Sequence, residues 1–291
     1  MSDQAEQLRL QIKQAQATKI AKTIAVISGK GGVGKSNFSL NFSVSLSKKG
    51  YRVLLFDMDI GMGNIGILTG NSADSSIVDF FQNGAPLKQI CTRGPENISF
   101  ISGGTGLTSL FKMSNLQFER FLIEFANLQL EYDFIIFDFG AGISQESSNF
   151  IMCVDEVITI TTPEPTSIMD AYSVIKYLHF QKSDLPVYLI CNRAQRDQQG
   201  KATIDKLKNT LSRFIGKEIT PLGYLPDSKW VQEAVIRQTP FIVLNPNADI
   251  SKSLNKLVDH YLLSSNREES LQVQQSFLGR LKSFFVGRYE V

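Results

Sequence analysis

Eight consecutive residues, Gly29, Lys30, Gly31, Gly32, Val33, Gly34, Lys35 and Ser36, combine glycines, two lysines and a hydroxyl. Glycines let a backbone curl until successive N–H groups converge on one point, and a helix that starts there adds the positive end of its dipole. Such a nest suits a chain of phosphates, with Lys35 reaching the β- and γ-phosphates and the Ser36 hydroxyl ligating Mg²⁺. The loop follows a β-branched run, 23–27, and opens an amphipathic stretch, so strand, loop and helix come in the order that phosphate binding requires. The spacing implies a bound nucleoside triphosphate.

Carboxylates supply the second half of that chemistry. Asp57 and Asp59 close the next apolar run, and at i and i+2 on a strand end they are expected to point the same way. That arrangement suits one for the hydration shell of a metal and the other for holding an attacking water. Asp138 ends a third apolar run, 134–137, and is followed by Phe139, Gly140, Ala141 and Gly142. Asn192 and Arg193 end a further run, and a side-chain amide offers both the donor and the acceptor that a base edge needs. A plain strand-to-loop turn would also accommodate this last pair.

The elements that must position these groups are legible as apolar runs of strand length at 23–28, 52–56, 98–102, 132–138, 156–161, 186–192 and 220–224. Most are continuous rather than alternating, as strands buried on both faces should be. Helical segments lie between them. One spans 36–49, with Phe38, Phe42 and Leu46 on one face and Lys48, Lys49 and Gly50 as its stop. Ser114 with Gln117 reads as a capping box for another. Alternating strands and helices predict an α/β fold of three layers, a mostly parallel sheet with helices on both faces and the ligand at the carboxyl ends of the strands.

Composition narrows the class further. A chain of 291 residues with 43% hydrophobic content suits one large α/β domain, and a formal net charge of +2 gives no reason to expect nucleic-acid binding. Cys91, Cys153 and Cys191 form no C-x-x-C pair, which argues against a disulfide framework or metal cluster and for small core residues of a reduced, cytoplasmic protein. His179 and His260 stand far from any paired nucleophile and read as structural. No stretch reaches the ~18 uncharged apolar residues of a membrane span, and the polar start is unlike a signal peptide.

Lys30, directly after the first glycine, makes the loop resemble the deviant Walker A loop of the MinD/ParA/nitrogenase-iron-protein superfamily. The resemblance implies that this lysine reaches across a homodimer interface to the partner's nucleotide. It also implies that Asp59 polarises the attacking water in a first switch segment, so that Lys30, Lys35 and Asp59 form the catalytic set. Asp57 and Asp138 would join Ser36 near Mg²⁺, Asp138 as the Walker B carboxylate. Asn192 and Arg193, with Pro226 and Asp227, would flank adenine, favouring ATP over GTP and completing a binding set that runs from Gly29 through Asn37. Phe139 and Gly140 depart from the small hydroxyl or proline common there, which bears on the hydrogen bonding of the second switch segment.

The run 29–42 and the segment Asp59, Ile60, Gly61, Met62, Gly63, Asn64 are similar to FlhG, the family of MinD-like flagellar-number regulators also called YlxH or FleN, over roughly 20–262. Gly66 departs from a frequent acidic residue there. Three parts follow: 1–19, 20–263 as the ATPase domain, and 264–291. Around Asp3, Gln4, Ala5, Leu8 and Arg9 the first part resembles the motif through which that family stimulates the GTPase FlhF. The last part pairs a polar linker, 264–270, with an apolar helical stripe of Phe277, Leu278, Leu281, Phe284 and Phe285 flanked by Arg280, Lys282 and Arg288, the pattern of a helix that lies on anionic lipid. A helix docked on its own core has the same stripe. The family resemblance implies a slow, Mg²⁺-dependent ATPase that dimerises with ATP and reaches the inner face of the cell membrane, with rotor proteins of the flagellar C-ring or a flagellar transcription regulator as further partners. A division-site or partition ATPase is the close rival. An iron–sulfur carrier would need paired cysteines, and an ATP-dependent ligase a further site motif.

Overall fold

Strands form where β-branched and aromatic residues can be covered on both sides, and every residue of the three central strands but one is buried. The computed structural model describes residues 20–59, 63–71, 75–103, 114–142, 144–268 and 276–286. In chain order the elements are β1 (Lys22–Ile27), α1 (Lys35–Lys48), β2 (Val53–Met58), α2 (Ile65–Thr69), α3 (Ile77–Gln82), β3 (Thr92–Arg93), β4 (Ser99–Ile101), α4 (Asn115–Glu131) and β5 (Phe134–Phe139). There follow α5 (Gln145–Ile151), β6 (Glu156–Thr161), α6 (Pro165–Gln181), β7 (Val187–Ala194), α7 (Asp197–Ile215), β8 (Thr220–Pro226), α8 (Lys229–Ile236), α9 (Phe241–Leu244), α10 (Asp249–Glu268) and α11 (Phe277–Val286).

One sheet runs β3-β4-β2-β5-β1-β6-β7-β8, parallel except for the antiparallel edge pair β3–β4. The period of two sorts side chains between two cores. Ala25, Ile27, Ile135 and Phe137 meet Phe121, Phe125, Phe150 and Ile175 from α4, α5 and α6. Ile24, Val26, Phe134 and Ile136 meet Phe38, Phe42, Leu254 and Val258 from α1 and α10. This is the three-layer, mostly parallel α/β arrangement that the run pattern predicts. The capping box at Ser114 and Gln117 forms as well.

Cys153 and Cys191 are buried, Cys91 is half-buried, and all three are free thiols. Burial pushes each thiol up to about 11, as suits inert core residues. His260 meets the Leu222 carbonyl through Nδ1 at 3.1 Å.

Two features of the C-terminal part bear on the expectations above. The polar linker begins as helix, because α10 continues to Glu268. Ser265 is buried there and donates to Glu156 at 2.7 Å, beside Tyr261 and Lys22, which bind the same carboxylate. The apolar stripe of the last helix packs on the protein's own core. Phe277 and Leu281 are each 1% exposed, and the Phe277 ring lies 5.1 Å from Phe125, 5.7 Å from Phe137 and 5.4 Å from Phe150. Leu278 and Phe284 pack half-buried on the same cluster. Arg280, flanking the same face, donates to the Cys153 carbonyl and to Asp155. The aromatic face of α4, β5 and α5 offers the stripe more burial than water does, so the helix docks. The side chain of Phe285 lies outside the described residues, as do Asp3, Gln4, Ala5, Leu8 and Arg9. No described helix is long and apolar enough to cross a membrane.

Candidate nucleotide site

The carboxyl ends of β1, β2 and β5 lie side by side, with Asp57 and Asp138 as register partners on neighbouring strands. Between β1 and α1 the loop passes through Gly32 at φ 75° and Gly34 at φ 94°. A side chain would strain both, and at Gly34 it would also strike the Asn192 amide. Gly34 is the N-cap of α1 without a side-chain cap, so the first N–H groups of that helix remain for a ligand.

Lys35 is 7% exposed, and its ammonium donates to Ser28 Oγ at 2.9 Å. Burial lowers its pKa, while Asp138 and Asp59 pull the other way. Ser28 donates in turn to the Lys30 carbonyl at 2.7 Å. The Lys35 charge is thus held at the loop by a neutral hydroxyl that a phosphate oxygen can replace.

The three aspartates separate in environment. Asp138 is fully buried, and Ser39 donates to its Oδ1 at 2.9 Å while Oδ2 has no hydrogen-bond partner. Burial pushes this carboxyl up to about 7, with Asp57 adding repulsion and the nearby Ser36 and Ser39 hydroxyls working against it. Asp57, pushed up to about 6 by burial, accepts from the backbone N–H groups of Asp59 and Ile65 and so ties down the start of α2. Asp59 is only partly buried; burial raises its pKa and Lys35 opposes the rise. It sits so close to Gly140 that a Cβ there would lie 2.7 Å from its Oδ1. The two carboxylates therefore face different neighbours, Asp57 toward α2 and Asp59 toward Gly140, because Asp59 has already left the strand. The Phe139–Gly140 departure has a local reason: Phe139 packs on Phe150 at 6.0 Å, and Gly140 leaves room for Asp59.

Ser36, Asp57 and Asp138 present oxygens only, the donor chemistry of a hard divalent ion such as Mg²⁺. Leaving a buried carboxylate oxygen unpaired costs about 1–3 kcal/mol or more. The free Oδ2 of Asp138 is the atom that the hydration shell of such an ion would satisfy, so these residues fit the group. Among the described residues no cluster of three His, Cys, Asp or Glu side chains forms a separate metal site.

A cavity of about 280 Å³ opens beside the loop. Asn37, Asn192, Arg193, Pro226 and Asp227 line it together with Gln232 and Phe241. Asn192 donates to the Val33 carbonyl at 2.7 Å and accepts from its neighbour's N–H at 2.9 Å, leaving one N–H and one lone pair for a base. Lys30 stands apart from this cavity, half-exposed, with Nζ 2.8 Å from Glu164 and 3.3 Å from Thr166 at the start of α6. Glu164, Ser28 and Ser39 were not among the residues singled out from sequence, since each acts through a partner brought close only by the fold.

A family model described as an AAA domain matches residues 21–186, more than half of the chain. The flagellum site-determining protein YlxH of Helicobacter pylori is 32% identical over 91% of this chain and 88% of its own length. The antiactivator FleN of Pseudomonas aeruginosa is 29% identical over 90% of this chain and 94% of its own. The chain belongs to the FleN/YlxH (FlhG) family of MinD-like ATPases.

The same fold appears in the septum site-determining protein MinD of Pyrococcus horikoshii, solved with Mg-ADP, at a TM-score of 0.69 and 22% identity over 86% of this chain and 99% of that one. Lys30 points away from the cavity toward Glu164 and Thr166 at the start of α6.

Proposed function

We propose that this chain is a nucleotide-controlled switch that governs the number or placement of flagella. Its site binds Mg²⁺-ATP: Gly29 through Asn37 cradle the phosphates, Lys35 neutralises their charge, and Asn192, Arg193, Pro226 and Asp227 surround adenine. Ser36, Asp57 and Asp138 hold Mg²⁺, which when bound supplies positive charge across the β- and γ-phosphates. Asp59 orients the attacking water, and hydrolysis is slow.

One observation carries the reading: Lys30 is exposed, paired with Glu164 and Thr166, and unused by its own loop. A second subunit meeting this surface with ATP bound would receive that lysine, and two half-sites would become two complete ones. Membrane association, in this reading, requires α11 to leave its seat on Phe125, Phe137 and Phe150, and a dimer presenting two such helices gains by avidity. The segment 1–19 acts on a partner, the GTPase FlhF, through Asp3, Gln4, Ala5, Leu8 and Arg9. C-ring proteins or a transcription regulator are further partners at the inner face of the cell membrane.

The test is GTP hydrolysis by the cognate FlhF with a peptide of residues 1–16, with and without Gln4→Ala. Stimulation that the substitution removes supports the flagellar reading. No stimulation by the unmodified peptide favours a division-site role, for which MinD relatives such as that of Thermotoga maritima, 30% identical over 91% of this chain, are the precedent.

A further inference from the structure

Ser39 lies one turn beyond Ser36 on α1, so the two hydroxyls share a helix face. Both look toward the end of β5. Ser39 is fully buried, and its hydroxyl donates to Asp138 Oδ1 at 2.9 Å. The Ser36 hydroxyl also lies near this carboxyl, and among the described residues Oδ2 is buried without a well-formed hydrogen bond.

A carboxyl group on a strand end turns freely about its last torsion unless something fixes it. Here one oxygen is fixed by a donor from the opposite layer, and that sets where the other must be. With Oδ1 committed to Ser39, Oδ2 is the oxygen left without a partner. The helix that carries the candidate metal hydroxyl, Ser36, therefore also carries the group that aims the candidate metal carboxylate. Spacing of one turn makes this possible, since a single rigid element then registers both ligands against the phosphates.

We propose that Ser39 is a positioning residue for the Mg²⁺ site, acting through Asp138. The proposal rests on the reading of Ser36, Asp57 and Asp138 as the Mg²⁺ set. A residue that orients a metal ligand typically changes metal affinity by about 10- to 100-fold when removed. Ser39→Ala leaves Oδ1 unpaired and lets the carboxylate turn, so the effect falls on the metal rather than on the nucleotide.

The experiment titrates Mg²⁺ into full-length protein holding a fluorescent ADP, and measures ADP affinity separately in excess chelator. Thermal melting accompanies each variant. Ser39→Ala is expected to need about 10-fold more Mg²⁺ for half effect, with metal-free ADP affinity within about twofold of the unmodified chain. Ser39→Thr, which keeps a hydroxyl on the same carbon, is expected to restore the Mg²⁺ response. Should the alanine variant fail to fold, Ser39→Cys replaces it, since its thiol keeps the volume but donates weakly; a shift of at least threefold is then expected. An unchanged Mg²⁺ midpoint, or an equal loss of metal-free ADP affinity, overturns the role of Ser39 alone. An unmodified chain whose ADP binding ignores Mg²⁺ overturns the metal reading itself.

Discussion

At Asp138 two demands conflict, since the fold buries the carboxyl among apolar strands while the chemistry needs its charge. Without metal the folded state keeps protons on Asp138 and Asp57 that the unfolded chain has released, because burial moves both pKa values upward to about 7 and about 6. The folded form therefore binds more protons between the ordinary carboxylate range and pH 7, and its stability falls as pH rises through that window. Melts of metal-free, nucleotide-free protein should show a falling midpoint from pH 5 to pH 8. Asp138→Asn, which still accepts from Ser39, should flatten that slope and stabilise the empty protein at pH 8 by about 1–3 kcal/mol. A steeper slope in the variant would count against a raised Asp138. Lys35→Ala should cost at least about 10-fold in ATP affinity by calorimetry, since the loop loses its buried cation and a charged hydrogen bond is worth about 1.5–3 kcal/mol. Asp59→Ala should bind ATP normally and hydrolyse it about 100-fold more slowly if, as proposed, its carboxylate beside Gly140 positions the water and is not part of the phosphate cradle.

Elements differ in how far their own residues announce them. The central strands are readable because both faces are buried, so β-branched runs appear without alternation, and β6 spans the expected 156–161. The two-residue edge β3 and the short helices α2 and α3 carry too little sequence to show a period. The last turn of α10 is polar and reads as linker, since what keeps it helical is Glu156, 109 residues away in the chain. In the site, glycine and lysine spacing reveals the loop, whereas Ser39 and Glu164 matter only through contacts across the fold. The stripe of α11 is the clearest case, because a helical apolar face looks the same whether core or lipid covers it. Its docking is measurable. Phe277→Ala should lower the unfolding free energy in urea by about 3–5 kcal/mol, the usual cost of emptying a buried aromatic site. A loss under about 0.5 kcal/mol, the range of a surface position, would mean that the helix does not sit on the core. Truncation to test membrane association belongs after Glu268, since a cut at 263 also removes Ser265 from the Glu156 network.

For the whole molecule the question is how one buried site can report its state outward. The sheet carries the candidate nucleotide-binding groups at one end, and the loop is wedged against α6, where a Cβ at Gly29 would overlap Asp170. The groove at that junction is lined by Gly29, Gly142, Ser144, Asp170 and Tyr177, so loop, second switch segment and α6 share one surface. Tyr177 also pairs with Ser148 of α5 at 3.2 Å, joining α6 to the helix that follows that segment. Lys30 follows Gly29 at the edge of this surface, and its exposed pairing with Glu164 is screened by solvent, so a partner's triphosphate can outcompete it. Lys30→Ala should consequently leave ATP binding by the single chain within about threefold, yet prevent the dimer that Asp59→Ala is expected to accumulate with ATP and Mg²⁺. Turnover should fall by about 1,000-fold or more, the scale on which a cation supplied in trans acts in phosphoryl transfer. Sizing of Asp59→Ala against Asp59→Ala/Lys30→Ala with ATP decides the matter: two species of the same mass would separate Lys30 from assembly, while a dimer that appears only with the lysine present makes the exposed cation the link between bound nucleotide and quaternary state.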